Sequence, residues 1–153
     1  MLNAIIIGAT SGIGRELAKQ MSAIGYTVGI TGRRTELLDT LEQELPNPCY
    51  KSFIDLTQID DASLTFKDLL IEMADVDIVI INSGVGYLDD EFLLENELNT
   101  VDVNVAGFTA IANIAFHYFV KQRKGHIVGI SSVAAIKGGR SVAYTQDTST
   151  CRF

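Results

Sequence analysis

Cysteine, histidine and proline are scarce in this 153-residue chain, at two of each. Cys49 and Cys151 are too few to build a disulfide framework. Neither they nor His117 and His126 stand at metal-ligand spacing, so no metal site is expected. Sparse cysteine usage predicts reduced thiols and a cytoplasmic location. Positive charge is also short. Twelve Lys and Arg face nineteen Asp and Glu, a net charge of −7. Nucleic-acid and anionic-membrane partners both require a basic face, so neither is expected. No basic segment precedes the short apolar run Met1 to Gly8, which excludes a secretory-signal reading of that run. The most apolar later stretch, Val101 to Val120, carries Asp102, Asn104, Asn113 and His117. These are costly in lipid, and the stretch is expected to be a buried helix. Repeats, low-complexity tracts and linkers are absent as well.

What remains is ordinary globular composition, 47% hydrophobic and 20% charged, at the length of a single domain. Short β-rich runs alternate with longer helical ones. Strands are expected at Leu2 to Ile7, Thr27 to Thr31, Tyr50 to Ile54, Val76 to Ile81 and Ile127 to Ile130. Helices are expected at Arg15 to Ile24, Thr35 to Leu45, Asp61 to Met73 and Val101 to Gln122. The two prolines, Pro46 and Pro48, both close the second helix. This alternation predicts an α/β fold, a Rossmann-type doubly wound parallel sheet covered on both faces, with strand order 3-2-1-4-5. Residues 1–132 form the expected Rossmann-type domain, and 133–153 an atypical C-terminal tail that is polar and lacks an apolar period.

Between the first strand and first helix stands Gly8-Ala9-Thr10-Ser11-Gly12-Ile13-Gly14. Glycines there permit a tight turn and close backbone approach. The helix N-terminus behind them offers free N–H groups and partial positive charge to a pyrophosphate. Gly8, Thr10, Ser11, Gly12, Ile13 and Gly14 are therefore candidate cofactor contacts, against the plainer reading of a simple strand-to-helix turn. The spacing is G-x-x-x-G-x-G rather than the general G-x-G-x-x-G fingerprint. The end of the second strand reads Thr31-Gly32-Arg33-Arg34. An NAD site usually places a carboxylate there for the ribose hydroxyls. Here a guanidinium, assigned to Arg33, can instead hold a 2′-phosphate, which favours NADP over NAD. Arginines at a solvated helix start are the alternative, one that opposes the helix dipole.

The G-x-x-x-G-x-G spacing after a first strand resembles the cofactor loop of the short-chain dehydrogenase/reductase family, with Ile7 where that family often has Thr. Asn82-Ser83-Gly84, after the fourth strand, is similar to the family's N-N-A-G motif, with Ser83 replacing the second Asn. The resemblance implies that Asp55, followed by Leu56, accepts a hydrogen bond from the adenine amino group. A helix N-cap is the competing role for Asp55. It further implies that Asn104 holds a water of the proton relay and that Ser132 orients the substrate, with Ser131 as the alternative. The implied activity is NADP(H)-dependent hydride transfer between a small-molecule carbonyl or alcohol and the nicotinamide, in a homo-oligomer. The dimer face would be the long helix, with Ile111, Ile114, Ala115, Tyr118 and Phe119 giving it a wide apolar surface.

The acid–base group is where the chain departs from the family. Tyr144 is the only candidate for the proton-donating phenol. It lies twelve residues after Ser132, one short of the family spacing, and Thr148 occupies the position of the family's Lys. A Lys there would lower the phenol pKa from about 10 toward working pH. Catalysis is accordingly expected to be impaired, with the fold incomplete at its C-terminal end through a frameshift or premature stop. A non-catalytic nucleotide-binding or interaction module built on the same half-fold is the alternative function. A flavodoxin-like regulator is a third reading, but it has no use for Asn82, Asn104 and Ser132 together.

Overall fold

A computed structural model describes residues 2–87 and 93–132. Five strands alternate with helices: β1 (Asn3–Ile7), α1 (Gly12–Ala23), β2 (Thr27–Gly32), α2 (Thr35–Glu44), β3 (Cys49–Phe53), α3 (Ile59–Met73), β4 (Ile78–Ile81), α4 (Leu94–Val101), α5 (Phe108–Gln122) and β5 (His126–Gly129). All strand pairs are parallel, in the order β3-β2-β1-β4-β5. This is the expected doubly wound sheet.

Its central strands read as unbroken apolar runs because both faces are covered. Successive side chains point to opposite faces, and the two cores follow that period of two. Ile5, Ile7, Val79 and Ile81 pack with Phe66 and Leu69 of α3 and with Ile111 and Ala115 of α5. Ile6, Val28, Ile30 and Ile80 pack on the other face with Ala18 of α1 and with Leu38 and Leu41 of α2. Each fully buried side chain of this size contributes roughly 1.5–3 kcal/mol relative to exposure. Ile7 pairs with Thr31 on one side and Ile81 on the other, and Ile81 pairs with Gly129. The carboxyl ends of β2, β1, β4 and β5 are thereby level, and the loops that follow them emerge along one edge.

The sequence-based boundaries hold to within a few residues except at the last helix. Its expected start was Val101, but the helix begins at Leu94 and runs to Gln122, with a π-helical turn at Asp102–Gly107 joining α4 to α5. Among the described residues this is the one helix long and apolar enough to cross a membrane. It lies against the sheet, with Val103, Ile111, Ala115 and Phe119 buried in the core. Three side chains expected to widen an open apolar face, Ile111, Ala115 and Phe119, are thus interior. The exposed apolar positions on the helix are Leu94, Leu98, Phe116 and Val120. The 3.6-residue period was legible, but which side of a helix apolar over most of its circumference meets the sheet was not.

Candidate functional site

At the level carboxyl edge, the loops after β1, β2, β3 and β4 enclose a cleft of about 450 Å³. Gly8 leaves β1 with φ +89° and forms the first wall. A Cβ on it would stand 2.5 Å from Ser83 Oγ and 2.8 Å from Ser83 N, so only glycine lets the two loops meet. Ile7 O accepts hydrogen bonds from Asn82 N (3.0 Å) and Ser83 N (2.9 Å). Asn82 Nδ2 donates to Gly8 O at 2.8 Å. Gly14, in the first turn of α1, is buried below this junction. A Cβ there would collide with Gly8 O and lie 2.5 Å from Asn82 Nδ2. The three residues form the crossing point where strand order reverses, the place at which open α/β sheets bind ligands.

The α1 N-terminus faces this edge. Ser11 occupies the N-cap position in an extended conformation, yet its side chain makes no capping hydrogen bond. Its Oγ accepts instead from Arg34 Nη2 at 2.7 Å, and the same nitrogen donates to Thr10 Oγ1 at 2.7 Å. Arg34 is the N-cap residue of α2, its carbonyl accepting from the N–H groups of Leu37 and Leu38. Arg33 turns the other way, with Nη1 3.9 Å from Asp55 Oδ1. Both arginines line the cleft beside Gly32.

Asp55 Oδ1 accepts from Thr57 N at 3.0 Å and Thr57 Oγ1 at 2.9 Å. The carboxylate therefore shapes the turn into α3, whose N-cap is Gln58. The capping role weighed for Asp55 is corrected accordingly: the turn it closes delays the helix by three residues. Leu56 is buried beneath, on the cleft wall.

Asn104 sits in the π-helical turn. Its Oδ1 accepts from Val85 N at 2.9 Å, and its Nδ2 donates to Val85 O at 2.8 Å. The amide imitates a strand partner and holds the 82–86 loop over the cleft. A π turn widens the helix locally, and such turns recur at functional sites.

Of the sequence-based candidates, Gly8, Thr10, Ser11, Arg33, Asp55, Leu56, Asn82, Ser83 and Gly84 line the cleft. Gly12, Ile13 and Gly14 lie at the start of α1 behind it. Ser132 and Ser131 are exposed beyond β5, on the same carboxyl side. Tyr144 lies outside the described residues. Arg34 was not assigned to the site from sequence. It was visible beside Arg33, but only the fold shows that it reaches the glycine loop. No group of three or more His, Cys, Asp or Glu able to hold a metal occurs among the described residues.

A parallel sheet with a glycine-walled crossing point and an uncapped helix N-terminus defines the dinucleotide-binding class of α/β proteins. The family model for short chain dehydrogenase matches residues 2–145, and the chain belongs to that family. It is 34% identical over 142 residues to dehydrogenase/reductase SDR family member 7B of Xenopus laevis, an alignment covering 84% of this chain and 43% of that protein. An uncharacterized oxidoreductase of Myxococcus xanthus is 31% identical over 140 residues, covering 88% of this chain and 55% of its own length. Among solved structures, an actinorhodin polyketide ketoreductase variant with NADPH superposes with a TM-score of 0.88 at 24% identity, covering 97% of this chain and 59% of that one. An alcohol dehydrogenase of Thermococcus sibiricus complexed with 5-hydroxy-NADP gives 0.88 at 23% identity, covering 97% and 66% respectively. The chain thus spans about half the length of the curated relatives it matches.

Proposed function

We propose that the cleft binds NADP(H) in preference to NAD(H), and that the site serves hydride transfer between the nicotinamide and a small-molecule carbonyl or alcohol. The observation that carries the cofactor reading is the end of β2, where Arg33 and Arg34 line the cleft and no carboxylate follows the strand. Guanidinium groups hold phosphate through paired, charge-assisted hydrogen bonds, whereas a carboxylate at this place would repel it. The rest of the cleft fits a dinucleotide. Gly8 and Gly14 let the loops after β1 and β4 and the start of α1 close together as one wall of the cleft, and the first turn of α1 has N–H groups free of their N-cap side chain. The ketoreductase and alcohol dehydrogenase structures, with NADPH and 5-hydroxy-NADP, support the same cofactor class.

A bound nicotinamide would give or accept the hydride. This chain's residues bind, orient and move the proton. Ser132 would hydrogen-bond the substrate oxygen, and Tyr144 would exchange a proton with it. Asn104 positions the loop over the cofactor, and the resemblance adds a relay water at this residue. Carbonyl reduction needs an acid whose pKa lies near the working pH. With Thr148 at the position of the family's Lys, no cation there lowers the Tyr144 pKa. The proposed chain therefore binds cofactor and turns over poorly. It is further proposed to act in the cytoplasm as a homo-oligomer.

Calorimetry with NADP and NAD tests the binding reading. Tighter binding of NADP is expected, and equal or tighter binding of NAD overturns the preference. Steady-state NADPH oxidation over a panel of ketones, with Tyr144→Phe alongside, tests the catalytic reading. Negligible rates in both proteins are expected. A robust rate abolished by the substitution would show that catalysis is intact.

A further inference from the structure

Ser11 is a serine at an N-cap whose hydroxyl does not cap. Serine is among the strongest N-cap residues because its oxygen accepts from a first-turn N–H. Here Arg34 Nη2 takes that oxygen at 2.7 Å and Thr10 Oγ1 at the same distance. The backbone of Arg34 is held by its own carbonyl, which receives the first backbone hydrogen bonds of α2 from Leu37 and Leu38. Its side chain spans from the start of one helix to the start of another. The guanidinium carries only N–H donors, so both hydroxyl oxygens accept, and their protons remain free to point elsewhere.

We propose that Arg34 is a positioning residue that latches Ser11 away from α1, keeping the helix's first-turn N–H groups and the Thr10 and Ser11 hydroxyl protons available to a pyrophosphate. The inference rests on the reading of the cleft as a dinucleotide site, and it divides the arginine pair. Arg33 faces Asp55 and discriminates the 2′-phosphate, while Arg34 serves the part common to NAD and NADP. Without the latch, Ser11 rotates onto its own helix, and a ligand must first displace that cap.

The test combines amide exchange with binding. In the cofactor-free protein, Arg34→Met should slow hydrogen exchange at Ile13 and Gly14, because Ser11 then caps them. Arg34→Met in a Ser11→Ala background should produce no such slowing. In calorimetry, Arg34→Met should weaken NADP and NAD alike, by about tenfold, leaving their ratio unchanged. The same substitution should cost little once Ser11 is alanine. Unchanged exchange at Ile13 and Gly14 overturns the latch. So does a loss confined to NADP, which would make Arg34 a 2′-phosphate ligand, or an equal loss in the Ser11→Ala background. If the unsubstituted protein binds neither dinucleotide, the cofactor reading fails, and the exchange measurement still decides the latch.

Discussion

Asn82 Nδ2 donates to the Gly8 carbonyl at 2.8 Å and joins the loops after β4 and β1 at the point where the strand order reverses. Gly14 packs under this bond with no room for a Cβ. Gly14→Ala should therefore force the first turn of α1 away from Gly8, at a cost of about 1–3 kcal/mol typical of overpacked interiors. Asn82→Ala should cost about 1 kcal/mol through the lost hydrogen bond. Chemical denaturation of each variant measures both. Unchanged stability in Gly14→Ala would mean that the close approach of α1 to β1 is absent in solution.

Arg33→Asp should move cofactor preference from NADP toward NAD. The new carboxylate would repel a 2′-phosphate and accept the ribose hydroxyls, and it would stand beside Asp55, which Arg33 now faces at 3.9 Å. The ratio of the two dissociation constants is the readout. Undiminished NADP affinity in the variant would contradict a phosphate-binding role for Arg33.

Asn104 satisfies both backbone groups of Val85. Asn104→Leu removes a donor and an acceptor together and leaves the partly buried Val85 amide and carbonyl without them. A loss of about 1–3 kcal/mol is expected, with faster proteolysis or amide exchange in the 82–86 loop. Equal protection of that loop in the variant would show that its placement does not depend on Asn104.

Asp77 closes the opposite end of the sheet. Burial disfavours its ionisation, but the Asn3 N–H at 2.9 Å and the Lys124 ammonium at 3.3 Å outweigh that and hold its pKa below the ordinary 3.8. A carboxyl lowered in the folded state stabilises the fold above its unfolded value, and the contribution disappears as pH falls through the folded value. Stability should thus decline on the acid side of 3.8, and Asp77→Asn should flatten that part of the profile. An acid limb identical in the variant would remove Asp77 as its source.

Phe116 and Val120 are 55% and 57% exposed on α5, one turn apart on the same helix. Exposed apolar surface of this kind favours association. Sedimentation should show self-association that weakens at least severalfold in Phe116→Ser/Val120→Ser. A strictly monomeric protein at high concentration would exclude this face as an interface.

The architecture was legible because each of its signals is local. The Ile5-Ile6-Ile7 and Ile78-Val79-Ile80-Ile81 runs could be satisfied only by strands covered on both sides, and the helical spacing between runs required parallel crossovers. The G-x-x-x-G-x-G spacing placed the glycine loop that lines the cleft, and Asn82 followed from its place after the fourth strand. Other features depended on contacts distant in sequence. The seven helical residues before Val101 were missed because Leu94 to Thr100 carry few apolar side chains, and the segment owes its order to continuity with α5. Asp55 could have capped a helix on composition alone, and Thr57 hydrogen-bonding decided that it shapes the preceding turn. Arg33 and Arg34 are adjacent and chemically identical. Their separate contacts arise because the chain turns into α2 between them, sending one guanidinium to Asp55 and the other to Ser11. Residue type and spacing determined the fold and the chemistry the edge of the sheet can offer. Which donor meets which acceptor was decided only when helices α1, α2 and α3 converged on that edge, because hydrogen bonds act over a few ångströms between residues that the sequence holds far apart.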